Sequence, residues 1–413
     1  MDKANAKLLP AHESILDTLI ALVHAAGPLG EQTDKYFTNT SRIVAAYGDT
    51  EVTFAVFMRR RVVAALEPAI RMARALVPGV KITRFVEEGE VVPSERKLME
   101  ITGSMKALSE VETLLLQKIG FPCVSANNAY EMCLAMPGSA FMDMHARHGS
   151  GAEMNILASY GAMVGSRAAR HKNRGVKGFV GSSQDLTAPL FGAKGGMGTM
   201  PHALVGYANG DVLAAMKMFE STIPEASSLI ALVDYTGEEI KDSLRCAQWF
   251  YEDARLHEKG KTFGVRLDTH GGRFAEGLDY EKSVEAVGVW LDVSGEYNIV
   301  EQVLGGRAFQ LDPSNILVDK VRRILFGKGV STASAIHVRR ALDKAGYKDA
   351  MIVGSSGFDA QKCQIMGAAK APLDMVGTGS FLPATLSETY ATADIIRYGD
   401  VKRVKVGREF LFD

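Results

Sequence analysis

The sequence predicts an α/β protein, an incomplete (irregular) β/α barrel plus an α+β N-terminal domain completed by the C-terminal strand. Three observations predict it. From about Gly138 onward, short apolar runs alternate with helix-length segments, the pattern of parallel strands joined by right-handed crossovers. The polar and glycine clusters follow those runs, so they fall at the C-terminal ends of strands, where barrels and open parallel sheets keep their sites. Clusters come from so many different runs that a barrel ranks above an open sheet. Residues 1–137 instead mix helical and strand patterns, and the final segment alternates again. The division is therefore 1–137, joined by 384–413, against 138–383.

Taken in order, Asp2, Lys3 and Lys7 precede an apolar stretch from Ile15 to Ala26 that Asp17 and His24 interrupt. It is too short for a bilayer and lacks a signal-peptide layout, so it reads as an amphipathic helix of a cytoplasmic chain. Asp34 to Thr40 reads as a capped helix start or a turn with aromatics. Glu51 to Phe57 alternates as a strand, with Val52, Phe54 and Val56 on one face, and runs into Arg59-Arg60-Arg61. Val62 to Leu76 has helical spacing. Val86 to Val92 looks like a hairpin turning at Gly89. Ser109 to Ile119 reads as a helix, with Ser109 and Glu112 forming a capping box. Six strands follow, at Ala140–Met144, Gly178–Gly181, Leu229–Val233, Phe263–Leu267, Ala350–Val353 and Leu373–Val376, with a weaker seventh running into Gly198. Helices fill Glu153–His171 and Gly237–Asp253. Tyr398 to Asp413 reads as a closing strand returning to the first domain.

The bulk numbers narrow the function. The chain has 413 residues, 47% hydrophobic and 23% charged, with net charge -1. That is an ordinary globular balance with a core of ample size, and it favours neither nucleic acid nor an anionic membrane. Cys123, Cys133, Cys246 and Cys363 lack zinc-ribbon or disulfide spacing and read as buried thiols.

Four clusters carry chemistry. Gly354-Ser355-Ser356-Gly357 and Gly377-Thr378-Gly379-Ser380 are consecutive glycine turns after strands. They are either tight turns or, more in keeping with two in a row near the end of a barrel, a backbone N–H cradle for phosphate. Arg266 and Asp268 share a face at a strand end; they could hold an anion and sugar hydroxyls, or form a plain salt bridge. His145-Ala146-Arg147-His148 is rich in donors. An arginine there suits a carboxylate, a surface loop is the plain alternative, and metal ligation has only Asp143 to complete it. Gly196 to His202 fixes one histidine between glycines and a proline, and a neutral imidazole can act as nucleophile or proton carrier.

These residues resemble the nicotinate phosphoribosyltransferases, which belong with the type II phosphoribosyltransferases, from about Asp34 to the C-terminus. The resemblance rests first on Gly198-Thr199-Met200-Pro201-His202. It rests next on Arg266-Leu267-Asp268, on Ser356-Gly357-Phe358-Asp359 with Gly377-Thr378-Gly379, and on Ser182-Ser183. The stretch from Val86 through Glu112 to Ala126 looks like the N-terminal domain shared with quinolinate phosphoribosyltransferases. The resemblance implies condensation of nicotinate with phosphoribosyl pyrophosphate (PRPP) in NAD biosynthesis, with Mg²⁺, and with ATP hydrolysed through a phosphohistidine. It implies His202 as that histidine and Tyr36 stacking on the pyridine ring across a homodimer interface. Arg147 would hold the nicotinate carboxylate, and Arg266 would assist there or hold pyrophosphate. Asp268 would hold ribose hydroxyls or Mg²⁺. Gly357, Gly377 and Thr378 would hold the 5′-phosphate, with Ser355, Ser356 and Gly379 beside them. Ser183, Thr199 and Asp234 complete the site.

The chain departs from that pattern where Thr269-His270-Gly271 follows Asp268 in place of Ser-Gly-Asp. It also departs where His148 follows Arg147 in place of a second arginine, and where Gln184-Asp185 follows Ser183. The alternatives are another base (quinolinate, with Arg59, Arg60, Arg61, Arg167 and Arg170 supplying a basic pocket, or nicotinamide) or a catalytically silent sensor of phosphoribosyl ligands.

Overall fold

A computed structural model describes residues 10–305 and 316–412, with the side chains of 316 and 317 excepted. Asp2, Lys3, Lys7 and Asp413 lie outside the described residues. The strands are β1 Glu51–Met58, β2 Val62–Val63, β3 Lys81–Arg84, β4 Val91–Val92, β5 Lys97–Ser104, β6 Ala140–Asp143, β7 Gly178–Ser182, β8 Ser228–Leu232, β9 Thr262–Leu267, β10 Met351–Gly354, β11 Met375–Thr378, β12 Ala391–Tyr398 and β13 Val401–Lys402.

Strands β6 to β11 form one parallel sheet in the order β7-β6-β11-β10-β9-β8. All six expected strands are present. The two edges, β7 and β8, are not bonded to each other among the described residues, so the barrel is incomplete. The weak strand into Gly198 is absent: the segment holds a 3-10 turn Ala188–Phe191 and then irregular chain. Tertiary anchors fold it back instead, with Met197 N–H donating to the Ser182 carbonyl (2.7 Å) and Gly196 N–H to Asp185 Oδ1 (2.7 Å).

The second sheet is antiparallel, in the order β13-β12-β1-β5-β3. β1 lies at its centre, and both its faces are covered. Val52, Phe54, Val56 and Met58 join the main core, while Ala55 and Phe57 pack with Ile396 and Leu411. The alternation of a strand separates the two sets, and the C-terminal tail covers the second. The returning strand is therefore Ala391–Tyr398, ahead of the predicted segment; after it only Val401–Lys402 is extended. The Val86–Val92 segment turns at Gly89 but is not a hairpin, because Val91-Val92 pairs with Val62-Val63. The helix expected from Val62 accordingly starts at Glu67 and ends at Leu76.

The main connection is the 31-residue helix Met105–Ala135. Its cap is Ser104, whose Oγ accepts from Ala107 N–H (3.2 Å), and Ser109 is buried inside the helix instead of capping it. β5 runs directly into the helix, so no loop marks the start. The helix Ala152–Lys172 crosses it in close contact. A Cβ at Gly165 would lie 2.1 Å from the Ala126 carbonyl oxygen, so only glycine allows that crossing.

Glu88 sits at this junction. Its carboxylate accepts from Leu66 N–H (3.0 and 3.1 Å) and from the Tyr160 hydroxyl (2.8 Å). Burial pushes its pKa up from 4.5 to about 7, although these hydrogen bonds and Arg84 oppose the shift. A raised acid stabilises the fold fully below its unfolded pKa, and that contribution is lost as pH rises through the folded value. Glu88→Gln is therefore expected to raise stability by about 1–3 kcal/mol at pH 8 and by little near pH 4.5. Melting curves of both proteins across this range check it; a pH-independent difference would rule the linkage out.

Candidate active site

The loops leaving the C-terminal ends of the parallel strands converge. At β9, Arg266 leaves the sheet partly buried. Its Nη1 donates to Thr199 Oγ1 (2.8 Å) and its Nη2 lies 3.5 Å from Asp268 Oδ2. Its Nε is buried with no partner among the described residues. Burial lowers its pKa, Asp268 and Asp234 oppose this, and Arg147 adds to the lowering. The expected common face of Arg266 and Asp268 is thus present, and Thr199, Asp234 and Arg147 lie in the same electrostatic neighbourhood. An arginine so placed stays charged and presents unused donor capacity to an anion.

After β8, Asp234 is buried and faces His202, whose Nε2 is 3.2 Å from each carboxylate oxygen. A carboxylate accepts, so Nε2 carries a proton, and in the neutral imidazole the lone pair is then on Nδ1. Arg273 braces this pair from behind, donating to the Asp234 carbonyl (2.8 Å) and pairing with the fully buried Glu239 (2.7 Å). Thr269, in the segment that departs from the family pattern, donates to Glu239 Oε1 (2.9 Å). It serves the loop's anchoring, and Gly271, two residues on, offers no side chain.

The glycine turns after β10 and β11 are tied together by Thr378, whose hydroxyl donates to the Phe358 carbonyl (2.7 Å) and accepts from Ser380 N–H (2.9 Å). Ser355 N–H and its hydroxyl both donate to the Leu267 carbonyl (2.9 and 3.2 Å), which locks the first turn beside Asp268. The N–H groups of Ser356, Gly357 and Phe358 have no acceptor among the described residues. Gly379 passes against the chain after β6: a Cβ there would meet His145 Cα at 2.9 Å.

At β6 the His145 cluster divides. His145 is fully buried and its ring is held by Asp143, Nδ1 to Oδ1 at 2.5 Å. Asp143 also accepts from His145 N–H (3.0 Å) and from the Ser159 hydroxyl (2.6 Å). These bonds occupy the carboxylate, so the pair orients the loop and offers no metal ligand set. Among the described residues no group of three or more His, Cys, Asp or Glu could hold a metal. Arg147 and His148 lie exposed on the 3-10 turn Ala146–His148. Ser183 is exposed after β7, its N–H bonded to the Asp143 carbonyl (2.8 Å).

Tyr36 is the predicted residue that one chain does not bring to the others. It is 62% exposed at the start of the helix Lys35–Tyr47, against Phe37 and Asp34. The arginines of the alternative basic pocket are largely engaged elsewhere. Arg59 bonds Thr392, Arg60 pairs with Glu388, Arg61 with Glu131, and Arg170 donates to the Lys177 and Phe179 carbonyls at the start of β7. No sequence motif surrounds Arg273 or Glu239. Lys362, six residues after Ser356 in the helix that follows a glycine turn, offered the one local signal.

All four cysteines are buried and free. No helix among the described residues is long and apolar enough to cross a membrane.

Comparison with known proteins agrees with this architecture. Residues 34–123 match the family described as quinolinate phosphoribosyl transferase, N-terminal domain. Among curated proteins no sequence match was found. Among solved structures, nicotinate-nucleotide pyrophosphorylase from Pyrococcus furiosus is similar at 20% identity and TM-score 0.63, over 98% of this chain and 81% of that one. NadC from Streptococcus pyogenes is similar at 15% identity and TM-score 0.55, over 95% and 99%. Human nicotinic acid phosphoribosyltransferase is similar at 16% identity and TM-score 0.54, over 91% and 76%. The chain thus shares the fold of these structures, and its residues 34–123 match the quinolinate phosphoribosyl transferase N-terminal domain.

Proposed function

We propose that this protein is a nicotinate phosphoribosyltransferase that forms nicotinate mononucleotide and pyrophosphate from nicotinate and PRPP, in NAD biosynthesis, with ATP hydrolysed through a phosphorylated His202. The observation that carries this reading is the His202–Asp234 pair, with Nδ1 left as a lone-pair donor, beside Arg266 and the two glycine turns. In the transfer, the pyridine nitrogen forms a bond to C1 of the ribose while the C1–oxygen bond breaks and its electron pair leaves on pyrophosphate. The protein's work is to position the ring, exclude water and stabilise the departing charge. Arg266 is the cation for the pyrophosphate, and the N–H groups of Ser356 and Gly357, with Gly377, Thr378 and Gly379, hold the 5′-phosphate. Asp268 holds the ribose hydroxyls. Mg²⁺ fits as an ion that arrives with the diphosphate, since it takes few protein carboxylates and keeps substrate oxygens; Asp268 would supply one oxygen, and the ion would neutralise charge on the leaving group. Ser183 borders the base and Arg147 takes its carboxylate. Tyr36, exposed on its own chain, would stack on the ring in a partner's site, which makes the working unit a homodimer.

Arg147→Ala is expected to raise KM for nicotinate about 10- to 100-fold, a lost charge-assisted contact. KM for PRPP should stay within about threefold. Steady-state kinetics with each substrate varied check this, and equal effects on both would remove Arg147 from the carboxylate.

A second reading, transfer to quinolinate, is favoured by the N-terminal family match. One assay separates the readings: PRPP and Mg²⁺ with nicotinate, nicotinamide or quinolinate, each with and without ATP. Mononucleotide from nicotinate with stoichiometric ADP supports the first reading. Product from quinolinate without ATP supports the second, and ligand binding with no product from any base would mark a sensor.

A further inference from the structure

Lys362 lies in the first turn of the helix Ala360–Ala368, just after the first glycine cradle. Its ammonium reaches back over the Phe358 ring, 4.2 Å from the centroid, and donates to the Ser356 carbonyl at 2.9 Å. Ser356 has φ +76°, a left-handed backbone that a side chain disfavours, and Gly357 follows at φ +66°. No other protein group bonds that carbonyl among the described residues. The peptide whose carbonyl Lys362 holds is also the peptide whose N–H belongs to Gly357. Fixing the oxygen therefore fixes the direction of a donor that has no protein acceptor. Phe358 underneath is fully buried, and the Thr378 hydroxyl donates to its carbonyl, so the lysine stem rests on a packed floor. Burial lowers the Lys362 pKa to about 8, with Cys363, Asp359 and Asp268 opposing.

We propose that Lys362 is a positioning residue: by holding the Ser356 carbonyl it keeps the Ser356–Gly357 turn left-handed, so that the Gly357 N–H faces the phosphate of a phosphorylated sugar. This rests on the phosphoribosyltransferase reading of the same site and adds a residue that acts through the backbone, without touching the phosphate.

The test is a double-mutant cycle on the full-length protein, with ribose 5-phosphate as the probe and affinity read by calorimetry. Lys362→Met is expected to weaken binding roughly 10- to 100-fold, in keeping with loss of a charge-assisted hydrogen bond. Placed on a Ser356→Gly background, where the left-handed turn needs no enforcement, the same change should cost less than about threefold. Lys362→Arg, which can still donate, should lie between wild type and Lys362→Met. If Lys362→Met does not fold, Lys362→Gln takes its place in the cycle. Two results overturn the proposal while leaving the functional reading intact: wild-type affinity in Lys362→Met, or an equal loss on both backgrounds, which would mean that the lysine acts by its charge on the phosphate. A wild-type protein that binds no ribose 5-phosphate overturns both.

Discussion

Replacing His202 with alanine is expected to abolish ATP hydrolysis while leaving a slow, ATP-independent transfer of the phosphoribosyl group. The expectation follows from the imidazole's geometry. Asp234 engages Nε2 from 3.2 Å with both oxygens, so the lone pair of the neutral imidazole is on Nδ1. In the proposed reaction, attack by Nδ1 on the γ-phosphorus of ATP would form the N–P bond as the P–O bond to ADP breaks, with the electron pair leaving on ADP. Arg266 and the glycine turns do not depend on this imidazole, so the sugar chemistry should survive without it. Asp234→Asn should give an incomplete defect, up to about 10⁴-fold in ATP turnover, because an amide no longer fixes the imidazole tautomer. The measurement is ADP release together with acid-labile phosphate on the protein. Full ATP-coupled turnover in His202→Ala would remove the phosphohistidine from the reading.

The sheet was legible in the sequence because each of its strands is a short apolar run closed by glycine or a polar cluster. Phe263 to Leu267 ends in Asp268, and Ala350 to Val353 in a glycine turn. Such signals are local, and they placed all six parallel strands. The errors fall where structure is decided at a distance. Nothing near Ser104 announces a helix, because β5 runs into it without a loop. Val91-Val92 had no local sign that its partner is Val62-Val63. The strand imagined before Gly198 gave way to anchors from Ser182 and Asp185, which glycines around them let the chain reach.

The candidate site divides in the same way. Residue types at strand ends were readable, and so was the common face of Arg266 and Asp268. Partnerships were not: Thr199 and Arg266 are 67 residues apart in sequence, and the brace of Arg273 and Glu239 behind Asp234 has no motif. His145 is the instructive case. In the sequence it belongs with Arg147 as one donor cluster. In the fold it is fully buried with Asp143 and Ser159, while Arg147 and His148 face solvent.

Arg266→Ala should produce the largest loss of transfer, about 10²- to 10³-fold in kcat/KM, the range for removing a preorganised charge from a developing anion. The residue's surroundings give the reason. One Nη is committed to Thr199 and the other faces Asp268, so the guanidinium is held without being neutralised in full, and its buried Nε has no partner among the described residues. A cation so preorganised costs little reorganisation when pyrophosphate departs, and it acts where burial weakens screening by water. Arg266→Lys keeps the charge but loses the planar fork, and it should still lie at least about tenfold below wild type. Thr199→Ala removes one brace and should cost less than either. Kinetics with PRPP varied, beside a melting curve for each variant, separate the outcomes. Loss in kcat with an unchanged melting temperature places Arg266 at the leaving group. A rate within threefold of wild type for Arg266→Ala would mean that the anion leaves elsewhere, and the carboxylate pair with His202 would then have to be reconsidered as the centre of the site.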